Sequence, residues 1–578
     1  MAVYVLSESI VSPLGIGAKN NFEALIQGQS GIKYHYNTEV SPYPFWGSVV
    51  SEKLLCKPAS LPLTDRLWDC LSKLEKMIMI SVWDAVSEKM SLISHPKTIL
   101  IFTSTKGNIN LINNGLSEDL YLFCIAEKIG KIFHNPNQVL TVSNACVSGL
   151  SGILVGKRLI EEQFYDHAII VGGDIFSEFT YSGFTSFKAI SPIPCRPFDS
   201  KRQGITLGEA ASAIVLGNEY SEIALSGGSS SNDANHISGP SRTGEGLKLA
   251  IREALNQAQI SKNELGFISL HGTGTIFNDE MECQALNGLG LENIPAHSLK
   301  GYYGHTLGAA GVLESAISIQ MIRHGKSLPS RGFEENGTTL SFHVEKEAKE
   351  LKKFSILKTA SGFGGCNVAL VFEKANHPIQ VSRSIFQKIT EQVAFDVEIL
   401  PGEVYYQGNR IYSQKFIGNS DQWLTQAYRT LTPGYLKFFK MDNLCKLGML
   451  AIELLFKNNS IFEKYLPSEV ALLFANRSSS LDTDLAHQAC LNKAGNYYPS
   501  PAIFVYTLPN IIMGEIAIKY GITGENLFLV LPQLDEKNLM QQVQITFSQS
   551  SAKLIIIGWV ELLADNFHCK LGFIEKTR

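Results

Sequence analysis

Apolar positions recur along this chain in two alternating rhythms. Short, nearly continuous apolar runs at 2–11, 98–103, 138–142, 168–171 and 211–216 read as buried strands. Between them, residues 62–90 place Leu67, Leu71, Leu74, Met77, Ile80 and Trp83 along a long amphipathic helix. A second helix is predicted over about 117–132, and a third, with small residues on one side, over 149–162. Strands of this kind alternating with helices predict an α/β sheet covered on both faces. The pattern restarts near residue 222 with a strand, a helix over 246–259, a strand over 265–270 and a closing strand over 368–372.

Past residue 375 comes a stretch of mixed character, 376–414, read as a connector, and then the first half's pattern again. Residues 435–455 echo the long helix, 470–474 the strand at 99, and 513–521 the helix before the third strand. Residues 527–531 and 554–558 stand where 139–143 and 168–172 stood. The expected division is therefore 1–221, 222–375, a connector 376–414, and a truncated copy of the first half over 415–578.

Composition narrows the function class. A length of 578 residues predicts three or four domain-sized units. A net charge of −4 without a long basic run gives no basis for nucleic acid or an anionic membrane surface as partner. Ten scattered cysteines, none at CxxC spacing, argue against a zinc site or a disulfide framework and suit a reducing cytoplasm. The N-terminus lacks a basic segment followed by a long apolar core, and no apolar run approaches a membrane span. A cytoplasmic protein without metal is expected.

The candidate chemistry sits at strand ends. Val142-Ser143-Asn144-Ala145-Cys146-Val147-Ser148-Gly149 turns a strand sharply into a helix and puts Cys146 over the helix N-terminus. A thiol there should have a lowered pKa and act as a nucleophile. His271-Gly272-Thr273-Gly274-Thr275 is a tight turn able to present a histidine into a cleft, with Asn278, Asp279 and Glu282 following. Ser298-Leu299-Lys300-Gly301-Tyr302-Tyr303-Gly304-His305 offers a lysine and a second histidine ahead of a small-residue helix, and Gly362-Phe363-Gly364-Gly365-Cys366-Asn367 leads into the last strand. One reactive-looking cysteine and two histidines, each on its own turn, are hard to attribute to packing.

Together these stretches resemble the β-ketoacyl-acyl-carrier-protein synthases of the thiolase superfamily, over residues 1 to about 375. The resemblance implies a five-layer αβαβα fold of two pseudo-symmetric halves, here with an added C-terminal half. It also implies that Cys146 is the acyl-accepting nucleophile, that His271 and His305 are the catalytic pair, and that Lys300 and Glu282 are the supporting residues. Phe363 matches the gating phenylalanine, and the Cys146 and Phe363 backbone N–H groups match the oxyanion donors. The implied reaction condenses an acyl thioester on Cys146 with a decarboxylating malonyl unit. No cofactor is implied beyond the phosphopantetheine of acyl carrier protein, the expected partner. Family members are dimers across the first half, so a homodimer or a heterodimer with another ketosynthase-like subunit is expected.

Two rivals follow from the same residues. A thiolase would use a second reactive cysteine; Cys366 beside Gly364-Gly365 invites that reading, but it stands where the family has threonine or serine and is taken as a core residue. A non-catalytic scaffold resembling a chain-length factor would not need all three of Cys146, His271 and His305. The copy at 415–578 does fit that description. Its elbow reads Leu531-Pro532-Gln533-Leu534-Asp535, with no cysteine. Gly208-Glu209-Ala210 and Ala360-Ser361 depart from the family pattern near the acyl pocket and leave the chain length open.

Overall fold

Five strands assemble in the same spatial order three times along the chain. The computed structural model describes residues 1–378, 394–457, 464–492 and 499–576. The first set comprises β1 (Tyr4–Ser12), α1 (Lys73–Val86), β2 (Thr98–Thr103), α2 (Leu122–Ile132), β3 (Leu140–Val142), α3 (Ser148–Glu161), β4 (His167–Asp174), α4 (Glu178–Ser186) and β5 (Ala210–Gly217). Its order is β3-β2-β4-β5-β1, with β2 parallel to β3 and β4, and β5 antiparallel to β4 and β1. The second set comprises β6 (Ile223–Asn232), α5 (Glu245–Ala258), β7 (Phe267–Ser269), α6 (Ile276–Leu289), β8 (Ala296–His297), α7 (Ala310–His324), β9 (Ser355–Gly362) and β10 (Cys366–Lys374). Its order is β8-β7-β9-β10-β6, with the same directions.

Helices α3 and α7 form the layer between the two sheets. They meet glycine to glycine: a Cβ on Gly149 would lie 2.8 Å from the Val312 nitrogen, and one on Gly311 would lie 2.4 Å from the Leu150 nitrogen. Helices α1 and α2 pack on the outer face of the first sheet, and α5 and α6 on the outer face of the second. The five layers are those of the thiolase-like fold. The long helix read over 62–90 is broken, with one helix at Asp65–Asp69 and α1 beginning at Lys73. Ser72 restarts it through a capping box with Glu75, a stop-and-start signal that the apolar period alone does not reveal.

The third set stands after residue 394: β11 (Phe395–Leu400), β12 (Glu403–Tyr406), β13 (Asn409–Ser413), α8 (Asn443–Lys457), β14 (Val470–Asn476), α9 (Leu481–Leu491), α10 (Ile511–Tyr520), β15 (Asn526–Val530), α11 (Glu536–Gln549), β16 (Leu554–Leu563) and β17 (Asn566–Glu575). Its order is β15-β14-β16-β17-β11, again with the same directions. Part of the stretch read as a connector is thus sheet, because β11 pairs with β17. The β12–β13 hairpin turns at Gln407 (φ 48°) and Gly408 (φ 77°), the two left-handed residues that a tight hairpin requires. Residues 379–393 of that stretch lie outside the described residues.

The first and third sets share one sheet. Val142 of β3 faces Leu529 of β15 in antiparallel register, and the Ser143 N–H donates to the Phe528 carbonyl at 3.1 Å. An edge strand offers unpaired backbone groups to any partner. Here that edge is occupied by the chain's own C-terminal half.

Candidate active site

Strand β3 ends at Val142, and the chain must reverse within five residues to enter α3. Ala145 takes a left-handed φ of 50° to make the corner, a conformation that a non-glycine residue holds only when its surroundings enforce it. The enforcing bonds are present. The Asn144 N–H donates to Ser148 Oγ at 2.8 Å, and that hydroxyl donates to the Ala145 carbonyl at 2.6 Å. The Asn144 side-chain amide donates to the Asn526 carbonyl at 2.8 Å and accepts from the Phe528 N–H at 3.1 Å, so β15 braces the elbow. Among the described residues, no side chain caps the start of α3.

Cys146 sits at this corner, buried, and lines a cleft of about 500 Å³ together with His271, His305, Asn367 and Phe363. Burial pushes its thiol up to about 12, against the lowering influence of Lys300. The expectation of a lowered thiol pKa is therefore corrected: desolvation outweighs the nearby cation.

The two histidines come from the second half. His271 follows β7, and its turn is held by carboxylates behind it. Glu282 accepts the His271 and Gly272 N–H groups, both at 2.7 Å, while Asp279 accepts the Phe198 and Gly274 N–H groups. Gly272 and Gly274 adopt φ of 47° and 73°, and a Cβ on Gly272 would lie 2.4 Å from the Ser298 side chain. Burial, and then the charge of Asp279, raises the Glu282 carboxyl to about 7. Glu282 therefore shapes the turn and makes no hydrogen bond to Lys300 among the described contacts.

Lys300 donates to the His271 carbonyl at 2.7 Å and approaches His271 Nδ1 at 3.3 Å. An ammonium only donates, so Nδ1 is the acceptor and the ring hydrogen resides on Nε2. Burial and the Lys300 charge hold His271 well below the usual imidazole range and lower His305 to about 3. The rings meet edge to face with centroids 5.2 Å apart. The site thus offers neutral imidazoles, with a fixed Nε2–H donor on His271, to an oxygen that gains negative charge.

Three contributors escaped the sequence reading. Glu314 on α7 pairs with Lys300 at 2.8 Å and with Lys358 of β9 at 2.5 Å. Asp174 at the end of β4 binds Ser104, the Thr105 and Lys106 N–H groups and the Gly308 N–H, joining the loop after β2 to the turn after His305. A charge inside a buried helix or strand needs a buried partner, and that is the signal Glu314 and Lys358 carry.

The third contributor is the C-terminal half. Asn510 donates to the Phe363 carbonyl at 2.8 Å, and a Cβ on Gly514 would lie 2.8 Å from the Gly364 Cα. The Phe363 ring packs near Phe184 and Phe187, and both of these contact Phe504. Behind Cys146 lies a small chamber of about 30 Å³, walled by Thr180, Phe184, Phe363, Phe504 and Lys106. Lys106 is buried and reaches across the junction to Asp484 at 2.6 Å, Ser480 at 3.0 Å and the Thr507 carbonyl. Cys366 is buried in β10 and its thiol is pushed up to about 12 by burial, as fits a core residue.

Residues 125–221 match the β-ketoacyl synthase N-terminal domain, and residues 220–334 match the C-terminal domain. A putative mitochondrial 3-oxoacyl-[acyl-carrier-protein] synthase of Schizosaccharomyces pombe is 27% identical over 434 residues, covering 64% of this chain and 99% of that protein. A ketosynthase (ApeO), solved in complex with its chain length factor (ApeC) from Xenorhabdus doucetiae, is 28% identical at a TM-score of 0.57, covering 65% of this chain and 98% of that one. The PfaC keto synthase-chain length factor, at 13% identity, shares the fold over 99% of this chain and 78% of its own at a TM-score of 0.74. The cysteine elbow lies within the matched β-ketoacyl synthase N-terminal domain, and both histidines lie within the matched C-terminal domain.

Proposed function

We propose that the protein is an elongating β-ketoacyl-carrier synthase whose C-terminal half takes the place of a second subunit. The observation that carries the first part is the cleft shared by Cys146, His271 and His305, with the ring hydrogen of His271 fixed on Nε2. Cys146 Sγ attacks the carbonyl of an acyl thioester, the C–S bond to the carrier breaks, and the cysteine proton leaves with the carrier thiol. A malonyl thioester then binds. Its carboxylate departs as carbon dioxide, leaving an enolate whose oxygen accepts from the histidine Nε–H groups. The enolate carbon attacks the acyl-enzyme, and the C–S bond to Cys146 breaks to release a β-ketoacyl product. The phosphopantetheine of an acyl carrier protein is the natural bearer of both thioesters.

The second part rests on the β3–β15 junction and on Asn510, Phe504 and Asp484, which reach into the site from beyond residue 394. The C-terminal half has neither a cysteine at its elbow nor a second sheet among its described residues, so we assign it no chemistry of its own. The test uses purified full-length protein with acyl- and malonyl-loaded carrier, beside a Cys146→Ala variant. The expected results are acylation of the wild type, release of carbon dioxide and a ketoacyl product two carbons longer, with acylation and product lost in the variant. Folded wild type that neither acylates nor condenses with any of several acyl lengths refutes the reading.

A further inference from the structure

Lys358 lies in the middle of β9 and is fully buried. Lysine is almost never found so placed unless it is paired. Its ammonium is 2.5 Å from Glu314 Oε2 and 3.3 Å from each of the Ser269 and Leu270 carbonyls. Lys300 holds the next carbonyl, that of His271, and the other oxygen of Glu314. Three successive carbonyls at the end of β7, the strand that delivers His271, are therefore held by two ammonium groups bridged by one carboxylate.

Taking the site as the condensing centre argued above, we propose that Lys358 is a positioning residue for the decarboxylation step. It anchors the end of β7 under His271 and adds a second positive charge beneath the histidine pair, where the enolate oxygen gathers negative charge. Without it, Glu314 would be left with Lys300 as its one cationic partner among the contacts described, and would draw that ammonium away from His271. The charged and titratable groups facing this cluster are Lys300, Glu314 on α7, Glu282 on α6 and His297 on β8, with His271, His305 and Cys146 at the cleft. Glu314 is the single carboxylate between two lysines, and burial leaves Glu282 poised near neutrality at about 7. The balance at the histidines is therefore positive, and Lys358 is among the charges that keep both imidazoles neutral. Removing a cation lets a nearby imidazole take up a proton more readily. The acid limb of the decarboxylation profile must then move to higher pH.

The experiment compares full-length wild type with K358M, measuring Cys146 acylation and malonyl-carrier decarboxylation separately from about pH 3 to about pH 8. The expected result is acylation within about threefold of wild type, decarboxylation lower by roughly ten- to a hundredfold, and an acid limb about one unit higher. A merely structural role would not move that limb, so decarboxylation rates and pH profiles that superimpose on wild type overturn the proposal. If K358M does not fold, K358R and K358Q decide the matter, because one keeps the charge and the other does not. A limb raised in K358Q alone supports the role, and equal limbs overturn it. Wild type that fails to decarboxylate refutes the condensing reading itself, a different failure from an active wild type with an indifferent Lys358.

Discussion

The protein contains two strand-to-helix elbows, and only one is armed with a cysteine. Both turn from the edge strand of a sheet into a helix, and the two edge strands lie side by side. In the first, Ala145 is held at φ 50°, Cys146 occupies the corner, and no side chain caps α3 among the described residues. In the second, ladder registers set Gly558 beside Phe474 and Phe474 beside Phe528, just as Gly172 stands beside Thr103 and Thr103 beside Val142. Four residues on from Val142 is Cys146, and four on from Phe528 is Pro532. There Asp535 caps α11 by accepting the Asn538 N–H at 3.0 Å. A side chain thus occupies the helix end that the first elbow leaves without one. The two strand-to-helix turns thus differ in whether the helix donors are kept free for an incoming charge.

The sheet faces differ in the same sense. In the first half, α3 and α7 bury the inner face. In the C-terminal half, α11 covers β14 and β16, while β17 and β11 carry His568, Lys570 and Glu398, which pair at the partly exposed margin.

The largest test of this division of labour is Asp484→Ala, which leaves Lys106 buried without its carboxylate. Stability should fall by about 3–5 kcal/mol, read as a lower urea midpoint, with slower acylation of Cys146. A Lys106→Met, Asp484→Leu double variant should recover most of the stability, and no loss in the single variant would mean that the two halves are not coupled through this pair. A smaller effect is expected from Glu282→Gln. The native Glu282 carboxyl, raised from 4.5 to about 7, keeps a proton that the unfolded chain releases. Its contribution is present below pH 4.5 and lost as pH rises through about 7. The glutamine variant should flatten that decline by on the order of 2–3 kcal/mol, visible as a melting temperature less sensitive to pH across the window. Pro532→Cys should do least. With its helix capped and no histidine pair beside it, the new thiol should not be acylated by acyl carrier, as intact-protein mass would report on a Cys146→Ala background. Acylation there would break the distinction between the elbows.

Cys146 and His271 were legible because each sits just past a strand end in a turn marked by small residues, and Lys300 and His305 because they flank a glycine-bounded helical turn. The alternation of strands and helices followed from the apolar runs, and the five-layer fold from the family likeness. The connector was misread because Glu403-Val404-Tyr405-Tyr406-Gln407-Gly408-Asn409 looks like linker until the alternation and the tight turn are read together. Asp484, Phe504 and Asn510 were not legible at all. Their partners Lys106, Phe184 and Phe363 lie 378, 320 and 147 positions earlier, and a contact made through tertiary folding leaves no local pattern. The lowered Cys146 pKa failed for a related reason: sequence shows the helix end but not how deeply the thiol is buried.

The β3–β15 ladder has a further consequence, for stoichiometry. A site completed by a separate subunit is lost whenever that subunit dissociates, so its output per molecule falls on dilution. Here the completing strand is covalently tethered, at an effective concentration set by the intervening chain and not by the cell. Each molecule carries one armed elbow and the strand that braces it, in a fixed ratio of one to one, and specific activity should hold constant down to the most dilute solution that can be assayed.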